Sequence, residues 1–236
     1  MARLLAIDTS SSWCSVALSV GTDKPIFRHE KLSAAASQNL LPWIETLLQE
    51  AKLELKNLDA IAVGIGPGAF TGVRLGVAAT QGLALSANLP VIPVISLDAI
   101  AAQFSQSDQA NSSVKNLVVA IDARMDEVYW AQYQLQSNTF PKRISDIKLS
   151  SPETVDLQEA DIVIGSAILE FGNRLAFPKP IIQNEEIGIH ALGVLMLAQT
   201  MWDQGLQISV DHLEPLYIRN KVAFTTEERL QNTLVK

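Results

Sequence analysis

With 236 residues, 48% of them apolar and 18% charged, the chain has material for one large domain or two small ones around an apolar core. A formal net charge of −7 lacks the basic stripe of a stand-alone nucleic-acid binder, and every apolar run stops well short of a membrane span. The one cysteine, Cys14, cannot form an internal disulfide, so a reducing cytosol is expected, with no membrane attachment.

Met1–Asp8 places an acid inside what would be a signal's apolar core, so it reads as a first strand, Leu4 to Ile7, ending at Asp8. Thr9–Ser12 is a polar turn and Trp13–Val20 a returning strand. Gly21–Pro25 turns again and Ile26–Leu32 makes a third strand. A helix is predicted from about Gln38 to Lys52, with Pro42 tolerated in its first turn. Its apolar residues Leu40, Leu41, Trp43, Ile44, Leu47, Leu48 and Ala51 spread wider than a core-facing stripe, which predicts two neighbours.

Ala60–Val63 is a buried strand, and Gly64-Ile-Gly66-Pro67-Gly68-Ala69-Phe70-Thr71-Gly72 follows it into a helix over Val73–Ala87. Such a loop either lets strand and helix meet closely or offers amides to an anion. It is not a P-loop, because Phe70-Thr71-Gly72-Val73 stands where a Lys-Ser/Thr pair is needed. The dinucleotide fingerprint also fails: Ala69 breaks the glycine spacing and no strand-terminal acid follows. From Leu75 to Ala87 the helix has no charge, and Gly72, Gly76, Ala79 and Leu83 form a mostly small stripe. A central core helix and a subunit interface are both consistent with that pattern.

Val91–Ile95 is a strand, and Ser96 is predicted to cap a short helix with Asp98 in its first turn. Residues 105–116 read as a polar linker. Then the opening repeats: Leu117–Asp122, a turn, and a strand over Glu127–Leu135, with Ile121-Asp122 matching Ile7-Asp8. Asp161–Gly165 resembles Asp59–Gly64, and Phe171–Leu175 resembles Phe70–Leu75. The second copy is shorter by roughly the helix at 38–52, and no counterpart helix is predicted between 136 and 160. The chain reads as a duplicated α/β unit with a degenerate second copy, by analogy actin-like. The divisions are 1–104, 117–218 and a polar tail at 219–236, with a last helix over His190–Gln204.

His29, His190 and His212 are far apart in sequence and form no helical pair, so no metal site is expected. Cys14 reads as structural, and no G-x-S-x-G elbow occurs. Asp8 and Asp122 are the carboxylate candidates, each ending a strand: either acid could face a phosphate-bound metal or simply satisfy turn amides. No residue is assigned a catalytic role. Arg124, Asp126 and Glu127 read as a solvated or interface edge.

Ile7-Asp8-Thr9-Ser10, the stretch Gly66–Gly76, Asp122-Ala-Arg-Met-Asp-Glu-Val-Tyr129 and Pro215-Leu-Tyr-Ile-Arg219 occur in this order. Together they closely resemble the TsaB (YeaZ-type) family, dimerisation subunits of the complex that forms threonylcarbamoyladenosine in bacterial tRNA. The resemblance implies an actin-like fold with a shortened C-terminal half and no catalysis by this subunit alone. It implies pairing with a catalytic paralogue, TsaD, which carries the metal motif and nucleotide, and with the ATPase TsaE. ATP and metal then belong to partner subunits, this chain needs no cofactor, and tRNA is reached only through the complex.

The implied pairing surface, used also for a homodimer, is the two apolar helices: Leu40, Trp43, Ile44, Leu47, Gly72, Val73, Gly76, Val77, Thr80 and Leu83. A charge at Val77 or Leu47 is expected to break dimers while leaving the monomer folded. Asp8, Thr9, Gly66 and Gly68 would be a vestigial phosphate site. The sequence departs from the family's patterns at Ala34-Ala35-Ala36-Ser37, where the paralogue has its histidine pair, and at Ala69, where Ser is usual. The alternative is an actin-like ATP-dependent enzyme gripping phosphate and magnesium with Asp8 and the Gly66–Gly68 loop. A peptidase has no metal pair or nucleophile motif to support it.

Overall fold

The computed structural model describes residues 1–21, 24–32, 36–110, 114–136, 139–178, 182–184 and 188–219. Most of the polar tail, Ala34 and Ala35 lie outside the described residues.

Five strands, β1 (Arg3–Asp8), β2 (Trp13–Val20), β3 (Ile26–Lys31), β4 (Ala60–Gly64) and β5 (Val91–Val94), form one sheet in the order β3-β2-β1-β4-β5. β1 is antiparallel to β2 and parallel to β4, which is parallel to β5. Leu4 to Asp8 are all buried, because this sheet is covered on both faces and its central strand meets no water. The side-chain alternation divides the covers. Leu5 and Ile7 face α1 (Ala36–Glu50) and α2 (Phe70–Ala87), while Leu4 and Ala6 face α5 (Ala191–Asp203).

The second sheet repeats this plan. β6 (Asn116–Asp122) is antiparallel to β7 (Val128–Gln134) and parallel to β10 (Ile162–Ile164), which is parallel to β11 (Ile182–Asn184). The short strands β8 (Lys142–Arg143) and β9 (Lys148–Ser150) both pair with β7. Among the described residues between 136 and 160 there is no α-helix. The counterpart of the 18-residue α2 is α4 (Ala167–Phe171), only 5 residues long. This is an actin-like duplicated fold with a reduced second half.

The covering helices cross over. α3 (Ser96–Phe104) follows the first sheet but packs Leu97, Ile100, Ala101 and Phe104 against Leu117, Val119 and Ile121 of the second. α5 follows the second sheet but packs Ala191, Val194, Leu195 and Ala198 on the first. The segment after α5 then returns along α2. Ile208 exchanges two backbone hydrogen bonds with Val91, Leu213 is buried, and the Leu216 amide donates to the Ile65 carbonyl.

Three local predictions change. Pro42 stands inside α1, the seventh residue from its start at Ala36, and not in its first turn. α2 starts at Phe70, ahead of Val73. Ser96 is not a helix cap: Ile95 holds that position with no side-chain bond, and the serine hydroxyl turns to the glycine loop. No described helix is long and apolar enough to cross a membrane.

Candidate functional site

Asp8 ends β1 at 1% exposure. Its Oδ1 accepts from the Ser10 amide and hydroxyl, both at 2.8 Å, while Oδ2 has no partner among the described residues. Oδ2 rests on Gly64, where a Cβ would come within 1.8 Å of it, so only glycine fits. Burial, opposed by the Ser10 bonds, pushes the carboxyl pKa up to about 6. From Ser10 a polar chain continues to Ser96 (3.2 Å), whose hydroxyl accepts from the Gly66 amide at 3.2 Å.

The glycine loop presses onto the β1–β2 turn. The Ala69 amide donates to the Ser10 carbonyl at 2.6 Å, and the Thr9 hydroxyl donates to the Gly72 carbonyl at 2.6 Å. A Cβ at Gly72 would lie 1.9 Å from the Thr9 carbonyl oxygen. Gly68 also presses on Ser10, so Asp8, Thr9, Gly66 and Gly68 meet in one cluster, and, Asp8 Oδ2 apart, the polar groups just named bond to one another. Its distances express close packing of strand, turn and helix.

Asp122, at the matching end of β6, is wired differently. Its Oδ1 accepts from the Arg124 amide at 2.7 Å and its Oδ2 pairs with that guanidinium at 3.0 Å. The turn it opens holds three successive residues at positive φ: Arg124 (62°), Met125 (56°) and Asp126 (64°). Arg219 braces it, donating to the Ala123 and Arg124 carbonyls at 3.1 and 3.2 Å and pairing with Glu127 at 2.6 Å. Two motifs far apart in sequence meet here, a contact with no local signal.

The histidines are also rearranged. His29 and His190 stack with ring centroids 3.9 Å apart, and Trp13 stacks on His29 at 4.4 Å. His190 Nδ1 accepts from the Leu192 amide, capping α5. Burial lowers both pKa values, that of His190 to about 4 with His29 adding to the effect. Faces stacked in this way do not converge on an ion, and no His/Cys/Asp/Glu group among the described residues is placed to hold a metal. The Cys14 thiol is buried, and its pKa is pushed up to about 12 by desolvation and by Asp8 and Glu30. It is no nucleophile at neutral pH.

The two apolar helices split into faces that the sequence did not separate. Leu40, Ile44, Leu47, Val73, Gly76, Val77 and Thr80 are buried within this chain, and Trp43, Gly72 and Leu83 are half-buried. Leu47 and Val77 belong to the core of the first sheet, so a charge there would unfold the monomer, contrary to the expectation above. The outer line of α2 is Thr71, Arg74, Ala78, Gly82 and Leu85, the last 63% exposed. Leu41 of α1 is 53% exposed. Among the described residues nothing lies within 4 Å of a Cβ built on Gly82.

The model of the family described as TsaD, tRNA N6-adenosine threonylcarbamoyltransferase, matches residues 29–236. An Escherichia coli (strain K12) protein named tRNA threonylcarbamoyladenosine biosynthesis protein TsaB is 34% identical over 229 residues, covering 94% of this chain and 96% of the relative. Its Haemophilus influenzae namesake is 35% identical over 232 residues, covering 94% and 95%. The solved structure of YeaZ from Pseudomonas aeruginosa superposes with a TM-score of 0.79 at 36% identity, covering 92% of this chain and 100% of that one. Motifs, duplicated fold and near full-length similarity agree: the chain belongs to the TsaB family, and with it to the wider family that the TsaD model describes.

Proposed function

We propose that this chain is a non-catalytic subunit for forming threonylcarbamoyladenosine at the tRNA adenosine next to the anticodon. It pairs with and activates a catalytic TsaD paralogue through the outer faces of α1 and α2. Support comes from the names of the relatives and from one structural observation. Gly82 sits in the middle of α2 with open space above it. A mid-helix glycine costs about 1 kcal/mol relative to alanine, and nothing among the described residues uses the room it leaves. With exposed Ala78 and Leu85 on the same line, a second helix can approach closely there. The same surface serves a homodimer when the paralogue is absent. ATP and metal are held by the partner subunits, TsaE joins the assembly, and tRNA is engaged only by the complex.

Light scattering of the chain alone and mixed with the TsaD of the same organism tests this. The expected result is a one-to-one heterodimer that Ala78→Glu or Leu85→Glu prevents while both variants keep the wild-type melting curve. Unchanged pairing by both variants would move the interface elsewhere.

A second reading, an ATP-dependent enzyme of the actin-like group, draws on the unpartnered Oδ2 of Asp8. Tight, magnesium-dependent ATP binding by the isolated chain, lost in Asp8→Asn, would favour it over the scaffold.

A further inference from the structure

One residue on the outer line of α2 is held in a way that packing alone does not require. The Arg74 guanidinium carbon lies 3.8 Å from the centroid of the Phe70 ring and 5.6 Å from that of Tyr217. Its Nε donates to the Tyr217 hydroxyl at 2.9 Å, across 143 positions of sequence. Phe70 sets the plane of the guanidinium and Tyr217 sets its direction, which leaves the paired Nη groups available on an exposed side chain.

Five other arginines (Arg28, Arg124, Arg143, Arg174 and Arg219) each pair with a carboxylate. Arg74 has no carboxylate partner among the described residues, in a chain whose net charge is −7. Shielding of the Phe70 ring by the arginine stem accounts for the stacking but not for the bond that fixes Nε. We infer that Arg74 is the charged anchor of the α2 docking face and receives a carboxylate side chain from the protein that docks there. This rests on the docking reading proposed above.

A pre-oriented guanidinium offers two parallel N–H donors, the geometry that matches a carboxylate. An RNA phosphate has similar chemistry. The small and apolar line through Ala78, Gly82 and Leu85 that continues from Arg74 suits a protein surface, and the acidic chain repels a phosphate backbone.

Calorimetric titration of TsaD from the same organism at several salt concentrations tests the anchor. Arg74→Gln should weaken binding about tenfold and flatten its salt dependence. Arg74→Lys keeps the charge but loses the fork, and should remain several-fold weaker than wild type. Tyr217→Phe should weaken binding while preserving the salt dependence. Leu85→Glu reports on docking itself. If Leu85→Glu abolishes binding while Arg74→Gln stays within twofold of wild type with the same salt slope, docking stands and the anchor falls. If Leu85→Glu binds normally, the docking reading fails. If Arg74→Gln weakens only the tRNA affinity of the assembled complex, the ligand is RNA and the inference is overturned.

Discussion

Two titrating groups that pack on the first sheet, the buried Asp8 and the half-buried His190, pull the stability of the fold in opposite directions as pH changes. Asp8 has its pKa raised from 3.8 to about 6, so the folded state holds its proton more tightly than the unfolded chain. Its contribution is fully present below the ordinary carboxylate pKa and is lost as pH rises through about 6, a difference of about 3 kcal/mol. His190 has its pKa lowered from 6.5 to about 4. Its contribution is present above the ordinary imidazole value and is lost as pH falls through about 4. Between pH 4 and 6 the two slopes oppose each other. Urea unfolding across that range should therefore show Asp8→Asn losing more stability on acidification than wild type. His190→Asn, which keeps an oxygen to cap α5, should lose less. Parallel pH profiles for wild type and both variants would contradict both assignments. Asp8 was legible as a strand-ending acid. Its link through Ser10 to Ser96 was not, because a serine before a helix has a local use as a cap that competes with the Ser10 contact 86 residues away.

At the scale of elements, α2 shows why a pattern can announce a helix without orienting it. The predicted strands around it match the observed ones to within a residue or two, because β1, β4 and β6 are apolar runs bounded by turns. α2 is instead small and apolar all round, so Gly76, which packs on Val63 and Ile7, and Gly82, which packs on nothing among the described residues, look alike in sequence. Burial separates them, and it reverses the expected behaviour of the core-facing positions. Leu47 is fully buried and Val77 3% exposed. Leu47→Ala should cost about 2–5 kcal/mol, and Val77→Asp should abolish cooperative thermal unfolding, because it buries a charge with no partner. Leu85→Glu, on the opposite side of the same helix, should shift the melting midpoint by a degree or two at most. A folded, monomeric Val77→Asp protein would show that α2 is turned over in solution.

The whole molecule is tied together by exchange between its halves. Reading the sequence as a duplication over 1–104 and 117–218 invites the expectation of two units that fold alone, since each repeat would carry its own strands and the linker between them is polar. The covering helices break that independence. Without α5, the first sheet would expose Leu4, Ala6, Ala17, Ala60, Ala62, Ile92 and Val94 on one face. Without Ile208, it would also lose the two backbone bonds to Val91 at its β5 edge. Burying each large aliphatic side chain contributes about 1.5–3 kcal/mol, so losing this layer removes an amount comparable with the net stability of a typical domain, about 5–15 kcal/mol. A fragment of residues 1–104 should then keep much of its far-ultraviolet helix and strand signal but lack near-ultraviolet aromatic signal and slow-exchanging amides in β1. A second fragment that joins residues 188–219 to it through a flexible linker should recover both, because that segment supplies α5, Ile208, Leu213 and the Arg74–Tyr217 contact. Protected β1 amides in the 1–104 fragment alone would mean that the first sheet is stable with one face bare, and α5 would then be an ornament of the fold instead of its second cover.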